Sequence, residues 1–96
     1  MHKLVIPRYF DLGGHRIRVK VIEDTEHDKL GAWFPEENVI RLWTKGRSHE
    51  VMVQTFLHEL SHAILDTWSL RKHSSNEKLV DAFGQGLLQY LKSVRF

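Results

Sequence analysis

The stretch Ser48-His-Glu-Val-Met-Val-Gln-Thr-Phe-Leu-His58-Glu59-Leu-Ser-His62-Ala-Ile-Leu-Asp66-Thr-Trp68 decides the reading of this chain. Apolar residues recur in it at Val53, Phe56, Leu57, Leu60, Ile64 and Trp68, the spacing of a helix with one packed face. Ser48 can accept a hydrogen bond from an amide of the first turn, and Glu50 lies at the positive end of the helix dipole. The spacing therefore predicts a helix over residues 48–68. At about 100° per residue, His58 and His62 stand only about 40° apart and one turn along, on the side away from the apolar set. Glu59 points about 100° from His58, beside anything the two imidazoles hold and not at it.

His58-Glu59-Leu-Ser-His62 is the H-E-x-x-H arrangement in which two histidines bind zinc and the intervening glutamate serves as a base. A chain with seven histidines can produce the pattern by chance. Its place in the middle of a helix, on the face that does not pack, weighs toward metal ligands over surface or core histidines. A hydrolytic zinc site needs a third protein ligand and an open position for water. Asp66, His73, Glu77 and Asp81 are the candidates for the third ligand. Leu65 and Trp68 exclude the longer metzincin pattern, which requires a glycine and a histidine at those positions.

Outward from this helix the chain divides in two. After the polar connection Arg71–Asn76, the residues Leu79, Val80, Phe83, Leu87, Leu91 and Val94 mark a second amphipathic helix reaching nearly to the C-terminus. Before it, His15–Glu23 alternates Ile17, Val19 and Val21 with Arg16, Arg18 and Lys20, the period of a strand with one buried face. Gly13-Gly14 signals a hairpin to Tyr9–Leu12. The polar stretch Asp24–Lys29 leads to Leu30–Phe34, and Pro35–Asn38 reads as a turn into Val39–Trp43. The expectation is an α+β fold: a small antiparallel sheet of three to four strands, a meander, packed on the H-E-x-x-H helix and a C-terminal helix.

Ninety-six residues with 42% apolar and 27% charged side chains suit one domain over residues 1–96. No cysteine is present, which removes disulfides, thiolate metal ligands and cysteine nucleophiles, and suits a reducing cytoplasm. The start Met1–Pro7 has three consecutive apolar residues, too few for a signal segment or a membrane span, so a cytoplasmic protein without membrane partners is expected. A formal charge of +2 is too small to name nucleic acid as a partner by itself.

The run His58-Glu-Leu-Ser-His-Ala-Ile-Leu-Asp66, followed by Asn76-Glu77-Lys-Leu-Val-Asp81-Ala-Phe-Gly84, resembles the active-site helices of thermolysin-like gluzincins, whose second helix carries an N-E-x-x-x-D motif. It is also similar to the ImmA/IrrE family of regulatory peptidases, with Glu77, Phe83 and Leu87-Leu88 spaced as in that second helix. The resemblance implies a zincin-like fold, Zn2+ held by His58, His62 and Glu77, and Asp81 orienting a ligand imidazole, His58 in the first instance. Glu77 and Asp81, at i and i+4, share one helix face, which agrees with that assignment. The competing reading of Glu77 is a capping box, Ser74-Ser-Asn-Glu77, in which it would bond only the backbone. Gly31, Ala32, Trp33 and Phe34 look like the edge strand with which gluzincins pair an extended substrate main chain; an ordinary core strand is the alternative. Gly84 shares the Glu77 face and can admit a close neighbour; mere tolerance of a helical glycine, as at Gly86, is the alternative.

Together these features point to a zinc metallopeptidase acting on a peptide or protein, with Glu59 as general base. Peptide deformylase shares the motif but needs a cysteine ligand. The additional domain by which large gluzincins stabilise the transition state is lacking, and Tyr90, His73, His49 and Tyr9 are candidates to replace it. The alternative class is a zinc-stabilised regulatory or nucleic-acid-binding module without turnover, using the stripe Arg16, Arg18 and Lys20 with Arg8 nearby. Such stripes are commonly solvated sheet faces.

Overall fold

Alternation in the first half of the chain and helical periodicity in the second segregate into a sheet and a helical layer. The computed structural model describes residues 4–23 and 29–96. Residues 1–3, and residues 24–28 of the polar stretch before Lys29, lie outside the described residues. The strands are β1 (Tyr9–Leu12), β2 (His15–Ile22), β3 (Gly31–Phe34) and β4 (Val39–Trp43), followed by α1 (His49–Thr67), α2 (Arg71–Ser74) and α3 (Glu77–Ser93). No described helix is long and apolar enough to cross a membrane.

The hairpin expected at Gly13-Gly14 forms, with Tyr9 opposite Arg18 and Leu12 opposite His15. The meander does not. The sheet is mixed, in the order β1-β2-β4-β3, with β4 parallel to β2 and antiparallel to β3. The reason lies in composition. Four of the five residues of β4, Val39, Ile40, Leu42 and Trp43, are buried, so this strand takes an interior position paired on both sides. The tight Pro35–Asn38 turn then puts β3 on the outside, as an edge.

One face of the sheet, carrying Ile17, Val19, Ile40 and Leu42, packs against Val53, Phe56 and Leu57 of α1 and Leu88 of α3. Phe10 meets Phe56 edge-on, with ring centroids 5.9 Å apart. Ile17, Ile40, Leu42 and Val80 are fully buried, each contributing about 1.5–3 kcal/mol by leaving water.

Helix α1 starts where expected, with the Ser48 hydroxyl accepting from the Val51 amide at 3.2 Å. Its apolar stripe leaves the core after Leu60, since Ile64 and Trp68 are exposed. It ends without glycine: Ser69 takes the left-handed conformation at φ 63°, and the Leu70 amide donates to the Leu65 carbonyl at 2.7 Å. The connection Arg71–Asn76, read as a polar loop, contains the single turn α2. On α3 the buried seam is Val80, Gly84 and Leu88; of the expected stripe Val80 lies on it, Leu79 and Leu87 are half-buried beside it, and Phe83 and Leu91 are exposed.

Gly84 explains that narrow seam. A Cβ there would lie 3.2 Å from the His58 Cα and 3.3 Å from the His58 nitrogen, so α3 meets the backbone of α1 at the first motif histidine. At Gly86, by contrast, a Cβ would meet nothing within 4 Å. Gly84→Ala is expected to lower stability by about 1–3 kcal/mol through overpacking. Gly86→Ala should raise it by up to about 1 kcal/mol through helix propensity. Urea unfolding of the two variants against the parent checks both signs, and equal effects would remove Gly84 from the helix contact.

Candidate metal centre

Helix spacing places His58 and His62 on one side of α1, and their rings lie 5.0 Å apart at 70°. Glu77 enters between them from the first residue of α3. Nε2 of His58 is 3.1 Å from Glu77 Oε2, and Nε2 of His62 is 3.1 Å from Glu77 Oε1. Donor atoms of the three residues all lie within 4.8 Å of one another, so the group could hold a metal ion. Tetrahedral bonds of about 2.0–2.1 Å set ligand atoms about 3.3 Å apart, close to the spacing found at Glu77. A small shift of the carboxylate would suffice to admit an ion.

The capping-box reading of Glu77 does not hold. Asn76 caps α3, its Oδ1 accepting from the Leu79 amide at 3.1 Å, which leaves the Glu77 side chain free to face the histidines. The rivals for third ligand are also accounted for. Asp66 accepts a hydrogen bond from the Trp33 indole at 2.8 Å, and His73 is exposed on α2 outside the ligand group.

Behind the ligands, each imidazole turns Nδ1 toward a different residue. His58 Nδ1 lies 3.6 Å from Asp81 Oδ1, the neighbour that the motif spacing suggested. His62 Nδ1 lies 3.0 Å from the hydroxyl of Ser74, a residue that sequence reasoning considered only as a cap. Ser74 is buried, and its hydroxyl donates to the His62 carbonyl at 3.5 Å. Its oxygen can then accept from Nδ1–H, the tautomer that would free the Nε2 lone pair for a metal. The only hint in the sequence was a small hydroxyl residue twelve positions after His62; without α2, nothing placed it.

Glu59 sits on the next edge of α1, 9% exposed. Burial pushes its carboxyl above the ordinary range, opposed by the nearby His58 and His62 and reinforced by Glu77, while a hydrogen bond from the Trp33 backbone amide lowers it again. That bond follows from the sheet order. Trp43 donates to the Leu30 carbonyl at 2.9 Å, so Leu30, Ala32 and Phe34 face β4, while Gly31 and Trp33 turn their backbone groups to the free edge. Gly31 allows β3 to lie against α1, since a Cβ there would come within 2.7 Å of Thr55 Cγ2.

Between β3 and the two helices runs a cleft with two chambers meeting at His58 and Glu59. One, of about 430 Å³, is lined by Ala32, Trp33, His62, Asp66 and Glu77. The other, of about 510 Å³, is lined by Leu30, Val51, Thr55, Gly84 and Gln85. Lys29, which sequence reasoning passed over, lines both. None of the four residues proposed to stabilise a transition state lines either chamber. His49 contacts the Leu4 carbonyl at 2.6 Å, Tyr9 lies against Arg16, Tyr90 is exposed far along α3, and His73 is exposed on α2.

Comparison with known proteins gave no match to any family model, curated protein or solved structure. The geometry of the chain itself therefore carries the functional reading.

Ser74→Ala is expected to weaken divalent-metal affinity about 10- to 100-fold, as is Asp81→Ala, because each frees a ligand imidazole to rotate. His58→Ala and Glu77→Ala should abolish stoichiometric binding. A competitive Zn2+ titration of the four variants tests this; unchanged affinity in Ser74→Ala would reduce that contact to packing.

Proposed function

We propose that this chain is a minimal zinc-dependent metallopeptidase with a zincin-like arrangement of edge strand, H-E-x-x-H helix and glutamate helix. The observation that carries the reading is Glu59: a buried carboxylate beside a His-His-Glu cluster and at the junction of an open cleft. A purely structural metal site has no use for a base at that position and is ordinarily closed by four protein ligands.

Two imidazoles and a carboxylate would also suit Fe(II), but oxygen chemistry has no evident need for a buried base, which favours zinc. Zn2+ held by His58, His62 and Glu77 would polarise a substrate carbonyl and acidify a water. Glu59 takes the proton of the attacking water on its carboxylate and passes it to the departing amine nitrogen. Its raised affinity for protons, caused by burial, matches that double task. The free edge of β3 offers the carbonyls of Gly31 and Trp33 to an extended peptide main chain, a mode of binding that tolerates many sequences. Lys29, which lines both chambers, would bring a positive charge to the cleft.

Glu59→Gln is expected to keep the fold and the metal while lowering peptide hydrolysis by about 10²- to 10⁴-fold. Cleavage of an unstructured protein by parent and variant, at matched zinc content, is the measurement. Equal rates would remove the general-base role, and a zinc-loaded parent without cleavage would leave a metal-stabilised module.

A further inference from the structure

The helices cover one face of the sheet; the other face carries a cluster of basic side chains along β1 and β2. Along β2, Ile17 and Val19 point into the core while Arg16, Arg18 and Lys20 are exposed on the opposite side. The register sets Tyr9 opposite Arg18 and Asp11 opposite Arg16, so these side chains share that outer face. Tyr9, Arg16, Arg18 and Lys20, together with Arg8, border a concavity of about 390 Å³. Arg16 is neutralised by Asp11 at 2.6 Å and lies over the Tyr9 ring, 4.3 Å from its centroid. Arg8, Arg18 and Lys20 have no ion pair among the described residues. Glu37 is another acid near this face; Arg41 holds it at 3.2 Å, and it also attracts Lys20.

Three cations outside any ion pair among the described residues thus border one hollow. Arg18 and Lys20 are spaced about 6.7 Å apart by the strand repeat, a row of like charges that repel unless a polyanion lies along them. The exposed Tyr9 ring beside them provides a surface on which a base can stack. An anionic membrane fits less well, because the hollow is concave and is bordered mainly by cations. We propose that the outer face of the sheet binds the phosphodiester backbone of a single-stranded nucleic acid, independently of the metal centre. Because this face and the cleft lie on opposite sides of the sheet, a bound strand leaves the peptide-binding edge open.

The test uses the full chain and a fluorescently labelled oligothymidylate, followed by anisotropy over a salt series. With three phosphates neutralised, the slope of log affinity against log salt should be about −2, falling toward about −0.7 in the double variant Arg18→Ala/Lys20→Ala. That variant should bind at least tenfold more weakly at low salt. Asp11→Asn, which releases Arg16 as a fourth cation, should bind more tightly, a gain that misfolding cannot mimic. His58→Ala should bind as the parent does, which separates this proposal from the peptidase reading. Absence of binding by the parent, equal binding by the double variant, no gain in Asp11→Asn, or preference for anionic vesicles over the oligonucleotide would each overturn it.

Discussion

The contact on which the molecule depends is the approach of α3 to the backbone of α1 at Gly84 and His58. A residue with no side chain lets the two helices come together at the first motif histidine. Glu77 lies seven residues before Gly84, close to two helical turns, so the same approach aims its carboxylate back at both imidazoles. A side chain at Gly84 would act on the His58–Glu77 distance before it acted on anything else. An exposed ion pair between Lys92 and Glu50, 2.6 Å, joins the far ends of the same helices.

The cluster is restrained from several directions at once. Each ligand imidazole has one nitrogen toward Glu77 and the other toward a separate support, Asp81 or Ser74. Glu59 and Asp66, two turns apart on one edge of α1, are both tied to Trp33, the first through its amide and the second through its indole. Trp33 therefore locks the edge strand to the motif helix, and the open side of the cleft is defined by the same residue that positions the base.

What the sequence made legible follows from the range over which each pattern acts. The start of α1, the Gly13-Gly14 hairpin and the side on which His58, His62 and Glu59 project are local consequences of period and turn chemistry, and all appear as expected. Strand order is different. A period of two says which residues are buried but not which strand lies beside which, so the antiparallel meander gave way to a mixed sheet with β4 inside. Ser74 was invisible for a related reason, since its role requires α2, a single turn too short to leave a periodic signal. Ser69 was missed because a left-handed helix end without glycine contradicts the usual marker. The placement of Tyr90, His73, His49 and Tyr9 outside the cleft likewise depends on distances between elements that spacing along the chain does not encode.

The parallel pairing of β2 with β4 bears on how the chain assembles. The β1–β2 and β3–β4 hairpins each join segments near in sequence, and each can close at small entropic cost. Arg18 with Val39 and Ile22 with Trp43, by contrast, have the whole of β3 between them in sequence. Among the strand pairings of the sheet these are the least local and carry the largest loop-closure cost. Until they form, β4 has one open side lined with Val39, Ile40 and Leu42, and the same apolar composition that later makes it the centre of the sheet makes it, for that interval, the segment most exposed to pairing with another chain.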